Sequence, residues 1–428
     1  MTDTNESLFE RGQRVIPGGV NSPVRAFRSV GGVPYFVERA EGPWVWDVEG
    51  NRFIDLVQSY GAIILGHAAP AVVDAVVSAA AWGTSFGAPT AGEVELAEAI
   101  VDRVASVDKV RMVSSGTEAT MSAIRVARGF TGRDKIVKFA GNYHGHSDGL
   151  LVEGGTAMAS LGIPGSAGVT ANAVADTIVA PYNAVPTLDE QVAAVIVEPI
   201  AANMGLVSPV PGFLEGLRAE CDRVGALLIF DEVITGFRVA SGGAQQLLGV
   251  RADLTAFGKV IGGGLPVGAF GGRAEIMDVL APLGPVYQAG TLSGNPLATA
   301  AGRAALAQLT DAAYAGLTAR VERFAAGLAA AIGDAGLPVR VPVAGTLTGL
   351  FFGTGEVTDY DSARQTDEAL YAAFFHEMLD RGVALAPGAY EVLFIGLAHT
   401  NDVLDQVIET AAVAAQAVSS GFGADLSR

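Results

Sequence analysis

Lys259 closes the segment Ala256-Phe257-Gly258-Lys259 just past a short apolar run, 28 positions beyond the acidic pair of Phe230-Asp231-Glu232-Val233. A lysine amine can condense with an aldehyde, and a carboxylate can keep a pyridine nitrogen protonated so that the ring draws electrons from a bound carbon. Together these two residue types suit pyridoxal phosphate. Charged residues at strand ends are also commonly just solvated, so neighbouring motifs have to decide. Ser114-Ser115-Gly116-Thr117 leads into a helical pattern, and small hydroxyl residues at a helix start present N–H groups and the positive dipole end to a phosphate. The same residues serve equally as an ordinary N-cap. Gly290-Thr291-Leu292-Ser293-Gly294-Asn295 offers a second cluster of that kind. The glycines of Gly262-Gly263-Gly264 follow Lys259 instead of preceding it, which excludes a P-loop. Tyr143 in Gly141-Asn142-Tyr143-His144-Gly145-His146 places an aromatic ring after another strand, where it can stack on a flat cofactor. His144 and His146 form a His-x-His pair, but no nearby Asp/Cys/His cluster completes a metal ligand set, so metal is the weaker reading.

Composition narrows the class. The 428 residues carry 27 Lys plus Arg against 45 Asp plus Glu, and the net charge of −18 repels nucleic acid and anionic membranes. One cysteine, Cys221, excludes an internal disulfide and fits a reducing compartment. The polar, acidic start Met1-Thr2-Asp3 is unlike a signal peptide, and the apolar stretch 192–197 stops at Glu198-Pro199, far short of a membrane span. A soluble cytoplasmic protein is expected.

The elements that must position these residues follow from periodicity. An amphipathic stretch over 7–16 precedes a hairpin over 33–56 that turns at Glu49-Gly50-Asn51. Short apolar strands over 110–113, 135–139, 193–197, 226–230 and 253–257 then alternate with helices such as 117–128 and 213–224. That order predicts an α/β fold with a mostly parallel sheet covered by helices, whose ligands collect at the carboxyl ends of the strands. Long Ala-rich helices after Gln308 frame strand candidates over 339–352 and 391–398. The expected division is an N-terminal segment 1–66, a large α/β domain 67–307 and a smaller α+β part 308–428. Residues 153–168, rich in glycine and small side chains, are either a lid over the site or a surface loop.

With these segments in view, the chain resembles the glutamate-1-semialdehyde 2,1-aminomutase family, a branch of the class III, fold type I aminotransferases. The resemblance runs almost end to end. It rests most specifically on Asn21-Ser22-Pro23-Val24-Arg25-Ala26-Phe27 and Tyr287-Gln288-Ala289-Gly290-Thr291-Leu292-Ser293-Gly294-Asn295-Pro296. Asp231-Glu232-Val233, Thr235-Gly236-Phe237-Arg238 and Lys259 mark the wider group. The resemblance implies a seven-stranded large-domain sheet and pyridoxal 5'-phosphate or pyridoxamine 5'-phosphate as cofactor. It also implies intramolecular transfer converting (S)-4-amino-5-oxopentanoate to 5-aminolevulinate through 4,5-diaminovalerate, a step of porphyrin biosynthesis. By the same implication Lys259 holds the aldehyde and shuttles protons, Asp231 pairs with the pyridine nitrogen, and Tyr143 and Val233 face the two sides of the ring. Asn203 lies near the phenolic oxygen, while Ser115, Gly116 and Thr117 bind phosphate with Gly290 and Thr291 of the partner subunit of a homodimer. Arg25 holds the substrate carboxylate beside Ser22, Tyr60, Thr156 and Glu391.

Two features qualify the resemblance. Ordinary class III aminotransferases carry an arginine for a keto acid where this chain reads Ala386-Pro387-Gly388-Ala389-Tyr390-Glu391, which favours the mutase over an intermolecular ω-amino acid aminotransferase. Many family members have Trp, Ser and Met at the positions of Tyr60, Thr156 and Ile234. The resemblance also implies substrate hand-off from glutamyl-tRNA reductase.

Overall fold

The computed structural model describes residues 3–152 and 165–425. A helix over Asn5–Val15 starts at a capping box between Thr4 and Ser7, and three antiparallel strands follow: β1 (Val37–Glu41), β2 (Trp44–Asp47) and β3 (Arg52–Asp55). The expected turn at Glu49-Gly50-Asn51 joins β2 to β3, and Asp47 Oδ1 fixes it by accepting from the Glu49 and Asn51 N–H groups.

Seven strands build the large sheet: β4 (Lys109–Val113), β5 (Lys135–Phe139), β6 (Thr177–Ala180), β7 (Val192–Val197), β8 (Leu227–Glu232), β9 (Leu254–Phe257) and β10 (Gly268–Gly272). Their order is β4-β10-β9-β8-β7-β5-β6, with β10 antiparallel to both neighbours and the other pairings parallel. β4, β5, β8 and β9 therefore all end on one edge. Both faces of the centre are covered, as alternation along β7 shows: Val195 and Val197 pack with Phe213 and Leu217, Ala194 and Ile196 with Ala123 and Val126. The covering helices are locally specified. The helix Gly116–Thr131 begins where Ser115 Oγ accepts from Glu118 N–H and ends at Gly132, and Phe213–Val224 ends at Gly225, both glycines left-handed.

The candidate strand over 339–352 is broken into β11 (Val339–Arg340), β12 (Val343–Ala344), β13 (Leu347–Gly349) and β14 (Phe351–Phe352). Pro342 and the left-handed Gly345 interrupt it. After the helix Glu368–Asp380 come β15 (Val383–Ala384) and β16 (Val392–Phe394). β15 joins β3 in parallel, so a single four-stranded sheet ties the two ends of the chain together. No described helix is long and apolar enough to cross a membrane.

Candidate active site

A cavity of about 440 Å³ opens at the carboxyl edge of the large sheet, and Lys259, Asp231, Tyr143, Ser115, Thr117 and Asn203 all line it. Gly116 and Val233 complete the set that the sequence placed there.

Lys259 sits in the turn directly after β9 with φ 48°, a left-handed conformation that a residue with a Cβ adopts only when its surroundings impose it. No described residue accepts a hydrogen bond from its amine. Burial lowers its pKa, opposed by the charges of Asp231, Glu198 and Glu391. A lysine whose proton is loosened in this way is suited to nucleophilic and proton-transfer work.

Asp231, near the end of β8, is buried and oriented on both oxygens: Oδ1 accepts from Val233 N–H at 3.0 Å and Oδ2 contacts His144 Nδ1 at 2.7 Å. Burial pushes the His144 pKa down against the pull of Asp231. A neutral ring that donates from Nδ1 leaves Nε2 as acceptor, and Nε2 is buried with no partner among the described residues. In the sequence alone, His144 signals nothing beyond a His-x-His pair with His146.

Glu198 is the second buried carboxylate. In the sequence it merely ends an apolar run, but in the fold it accepts from Tyr143 N–H at 2.7 Å and from Ala202 N–H and Asn203 Nδ2 at 2.9 Å each. It thereby orients two residues of the cavity wall. Burial, then the charge of Asp231, pushes its pKa up to about 7.

Opposite these, the helix start is shaped for close approach. Ser115 Oγ takes Glu118 N–H and Ser115 O takes Ala119 N–H, while the Gly116 and Thr117 N–H groups have no acceptor among the described residues. Thr120 Oγ1 ties this first turn to the His144 carbonyl at 2.7 Å. A Cβ at Gly116 would lie 3.0 Å from a Val233 methyl, and one at left-handed Gly145 would lie 2.5 Å from Thr117 Oγ1. A helix terminus with two N–H groups unpaired among the described residues, a buried carboxylate and an amine in one cavity fit a phosphorylated pyridine aldehyde.

The expected substrate residues gather beside this cavity. Arg25 and Tyr60 line a second cavity of about 430 Å³, while Ser22, the residue before the turn Pro23–Ala26, is not part of its lining. Tyr60 also packs against the cluster holding Ile200 and Ile234, which line the first cavity, so it stands between the two. Glu391 precedes β16, and burial pushes its carboxyl up to about 7 against the lowering effect of Lys259. Gly290 and Thr291 are exposed and reach neither cavity within one chain. Thr156 and most of the 153–168 segment lie outside the described residues.

Comparison with known proteins agrees with this geometry. The family model "Aminotransferase class-III" matches residues 27–410. A glutamate-1-semialdehyde 2,1-aminomutase of Desulforapulum autotrophicum is 54% identical over 419 residues, covering 96% of this chain and 98% of the relative. Among solved structures, an omega-transaminase from Sphaerobacter thermophilus superposes with a TM-score of 0.89 at 32% identity, covering 97% of each chain. A glutamate-1-semialdehyde-aminomutase from Pseudomonas aeruginosa, in complex with PMP, gives 0.85 at 27% identity over 96% of this chain and 93% of that one. With Lys259 and Asp231 meeting at the edge where such a fold binds its ligand, the chain belongs to the class-III aminotransferase family and to its glutamate-1-semialdehyde 2,1-aminomutase branch.

Proposed function

We propose that this enzyme converts (S)-4-amino-5-oxopentanoate to 5-aminolevulinate through 4,5-diaminovalerate, in porphyrin biosynthesis. One observation of the site carries the choice of reaction: the stretch 386–391 holds no arginine, and its one charged residue, Glu391, lies near enough to Lys259 for each to shift the other's pKa. An enzyme that accepts an external keto acid needs a cation there, whereas one that moves an amine within a single molecule does not. Relatives named for the mutase reaction, more than half identical over nearly their whole length, support the same reading.

Pyridoxamine phosphate, when bound, supplies the amine and an electron-withdrawing ring. The chain does the rest. Asp231, held by Val233 N–H and His144, is the anion that keeps the pyridine nitrogen protonated. Ser115, Gly116 and Thr117 bind the phosphate, with Gly290 and Thr291 of the partner subunit. Tyr143 and Val233 confine the ring faces, and Asn203, fixed by Glu198, serves the phenolic oxygen. Lys259 Nζ would carry the proton between the substrate carbon that gains or loses the amine and the exocyclic carbon of the bound cofactor, its pKa lowered toward that task. Arg25 grips the substrate carboxylate, a bidentate role suited to a guanidinium, flanked by Ser22, Tyr60, Thr156 and Glu391. A homodimer follows from this assignment, and the exposure of Trp82 (86%) and Tyr287 (71%) supports an apolar contact there. The same reading places the enzyme in the cytoplasm, receiving substrate from glutamyl-tRNA reductase.

Colorimetric detection of 5-aminolevulinate from the semialdehyde, with no amino donor added, tests the proposal. The second reading, an intermolecular ω-amino acid aminotransferase, is favoured by the higher TM-score of the omega-transaminase. Product formed only when an amine donor and 2-oxoglutarate are supplied would establish it instead.

A further inference from the structure

Among the described residues Arg238 is the largest side chain that is wholly buried, and it forms no ion pair with a carboxylate. A guanidinium in that position is unfavourable unless its hydrogen bonds are specific. They are: Nε and Nη2 both donate to the Gly61 carbonyl, at 3.2 and 2.8 Å, and Nη1 donates to the Ile395 carbonyl at 3.3 Å. The group also rests 5.2 Å from the centre of the Phe394 ring.

The base from which Arg238 reaches is fixed to the cofactor strand. Gly236 N–H donates to the Glu232 carbonyl at the end of β8, and Arg238 N–H to the Thr235 carbonyl. The Thr235 hydroxyl is held by the Glu232 carboxylate, which also takes Ala244 N–H and Gln245 Nε2.

What Arg238 grips is an unusual backbone. Gln58, Ser59, Tyr60 and Gly61 have φ of 46°, 52°, 53° and 97°, four successive left-handed residues of which three carry a Cβ. Such a run persists only where its surroundings over-determine it. From its start it is held by Asp55, whose carboxylate accepts from the Val57 and Gln58 N–H groups and meets His67 Nε2 at 2.7 Å. From its end it is held by Arg238, and a Cβ at Gly61 would lie 2.6 Å from the Phe394 ring. The residue displayed by this turn is Tyr60.

We propose that Arg238 is a positioning residue for substrate recognition: it clamps the left-handed Gln58–Gly61 turn between the cofactor strand and β16, and so sets where Tyr60 stands between the two cavities. The consequence for substrate rests on the assignment of Tyr60 and Arg25 to the substrate end; the clamp itself does not. Burial draws the Arg238 pKa down to about 9, which keeps the group cationic at neutral pH.

Hydrogen exchange of the holoenzyme tests the clamp. The reporting amides are Tyr60, Ala62 and Ile63, bonded to the Val57, Ser59 and Gln58 carbonyls. In Arg238→Met they are expected to exchange at least ~10-fold faster while β8 and β9 amides and the absorbance of bound cofactor stay as in the parent. Arg238→Lys, able to reach one carbonyl, is expected to fall between the two and carries the comparison if the Met variant does not fold. In turnover, KM should rise ~10-fold with kcat within about threefold, and Tyr60→Ala added to Arg238→Met should raise KM no further. Unchanged exchange at these amides in Arg238→Lys and Arg238→Met overturns the clamp. KM effects of Tyr60→Ala and Arg238→Met that simply multiply overturn the action through Tyr60. A parent that makes no 5-aminolevulinate would sink the assigned reaction, yet the exchange result would still decide the clamp.

Discussion

Glu198→Gln isolates what a buried carboxyl contributes at the floor of the cavity. The parent side chain is 3% exposed, and its pKa stands at about 7 against an ordinary 4.5, raised by burial and then by Asp231. A carboxyl whose pKa is higher in the folded than in the unfolded chain favours folding fully below pH 4.5, and that contribution is lost as pH climbs through 7. Between pH 5.5 and 7 the remaining 1.5 units amount to about 2 kcal/mol at 1.36 kcal/mol per unit. Glutamine keeps the shape and never ionises. Its oxygen can serve Ala202 N–H and Asn203, but its NH₂ then faces Tyr143 N–H, a mismatch that costs about 1–3 kcal/mol at every pH. The variant is therefore expected to be the less stable protein at pH 5.5, and the gap should close by about 2 kcal/mol by pH 8.5. Urea unfolding of the cofactor-free parent and variant at four pH values measures this directly. A stability difference that stays constant across the range would refute the reasoning, since it would mean that Glu198 titrates alike in the folded and unfolded chains.

Other substitutions probe the remaining parts of the site. Lys259→Ala should lower 5-aminolevulinate formation by about 10²–10⁴-fold, the usual worth of a positioned proton carrier, and full activity would remove the residue from its assigned role. Gly116→Ala places a methyl 3.0 Å from Val233, so cofactor affinity measured by absorbance titration should fall on the order of 10-fold, with helix content unchanged. Ile234 is buried beside Asp231 and lines the cavity, so Ile234→Met should change turnover or inhibitor sensitivity. Identical kinetics in parent and variant would show that the side-chain shape there is immaterial.

How far the sequence could be read follows from how each element is specified. β4, β5, β7, β8 and β9 are apolar runs that end in turn residues, and the helices over them stop at glycines, so local pattern and tertiary placement agree. β10 was missed because Gly268-Ala269-Phe270-Gly271-Gly272 has the composition of a loop. In the sheet those glycines are required: a Cβ at any of the three would strike a backbone carbonyl, of Ser115, Lys109 and Asp253 in turn. β6 was also missed, being four residues on the sheet edge with Ile178 partly in solvent. In the site, Lys259, Asp231, Tyr143 and the Ser115–Thr117 turn are legible because each lies at or shortly beyond the carboxyl end of an apolar strand. Glu198 and His144 were not, because their significance lies in partners that meet only after folding: Glu198 with Tyr143 and Asn203, His144 with Asp231.

The substrate end depends most on long-range register. β15 pairs in parallel with β3, Val383 opposite Ile54 and Ala384 opposite Asp55. Parallel strands release their chains from the same end, so the stretch leading to Glu391 and the stretch leading to Tyr60 leave the sheet together, although one lies near the start of the chain and the other near its finish. Leu56 N–H donating to the Ala384 carbonyl, and Phe394 N–H donating to the Leu56 carbonyl, continue the pairing beyond the strands. His399 extends it again, contacting the Asp55 carbonyl through Nε2 at 3.1 Å and taking Gly396 N–H on Nδ1. Glu391 is thus placed by backbone pairing between the two ends of the chain, and not by the large sheet that holds Lys259. A family member can therefore exchange the residue at Glu391, and with it the kind of second substrate tolerated, without disturbing the strand ends that grip the cofactor.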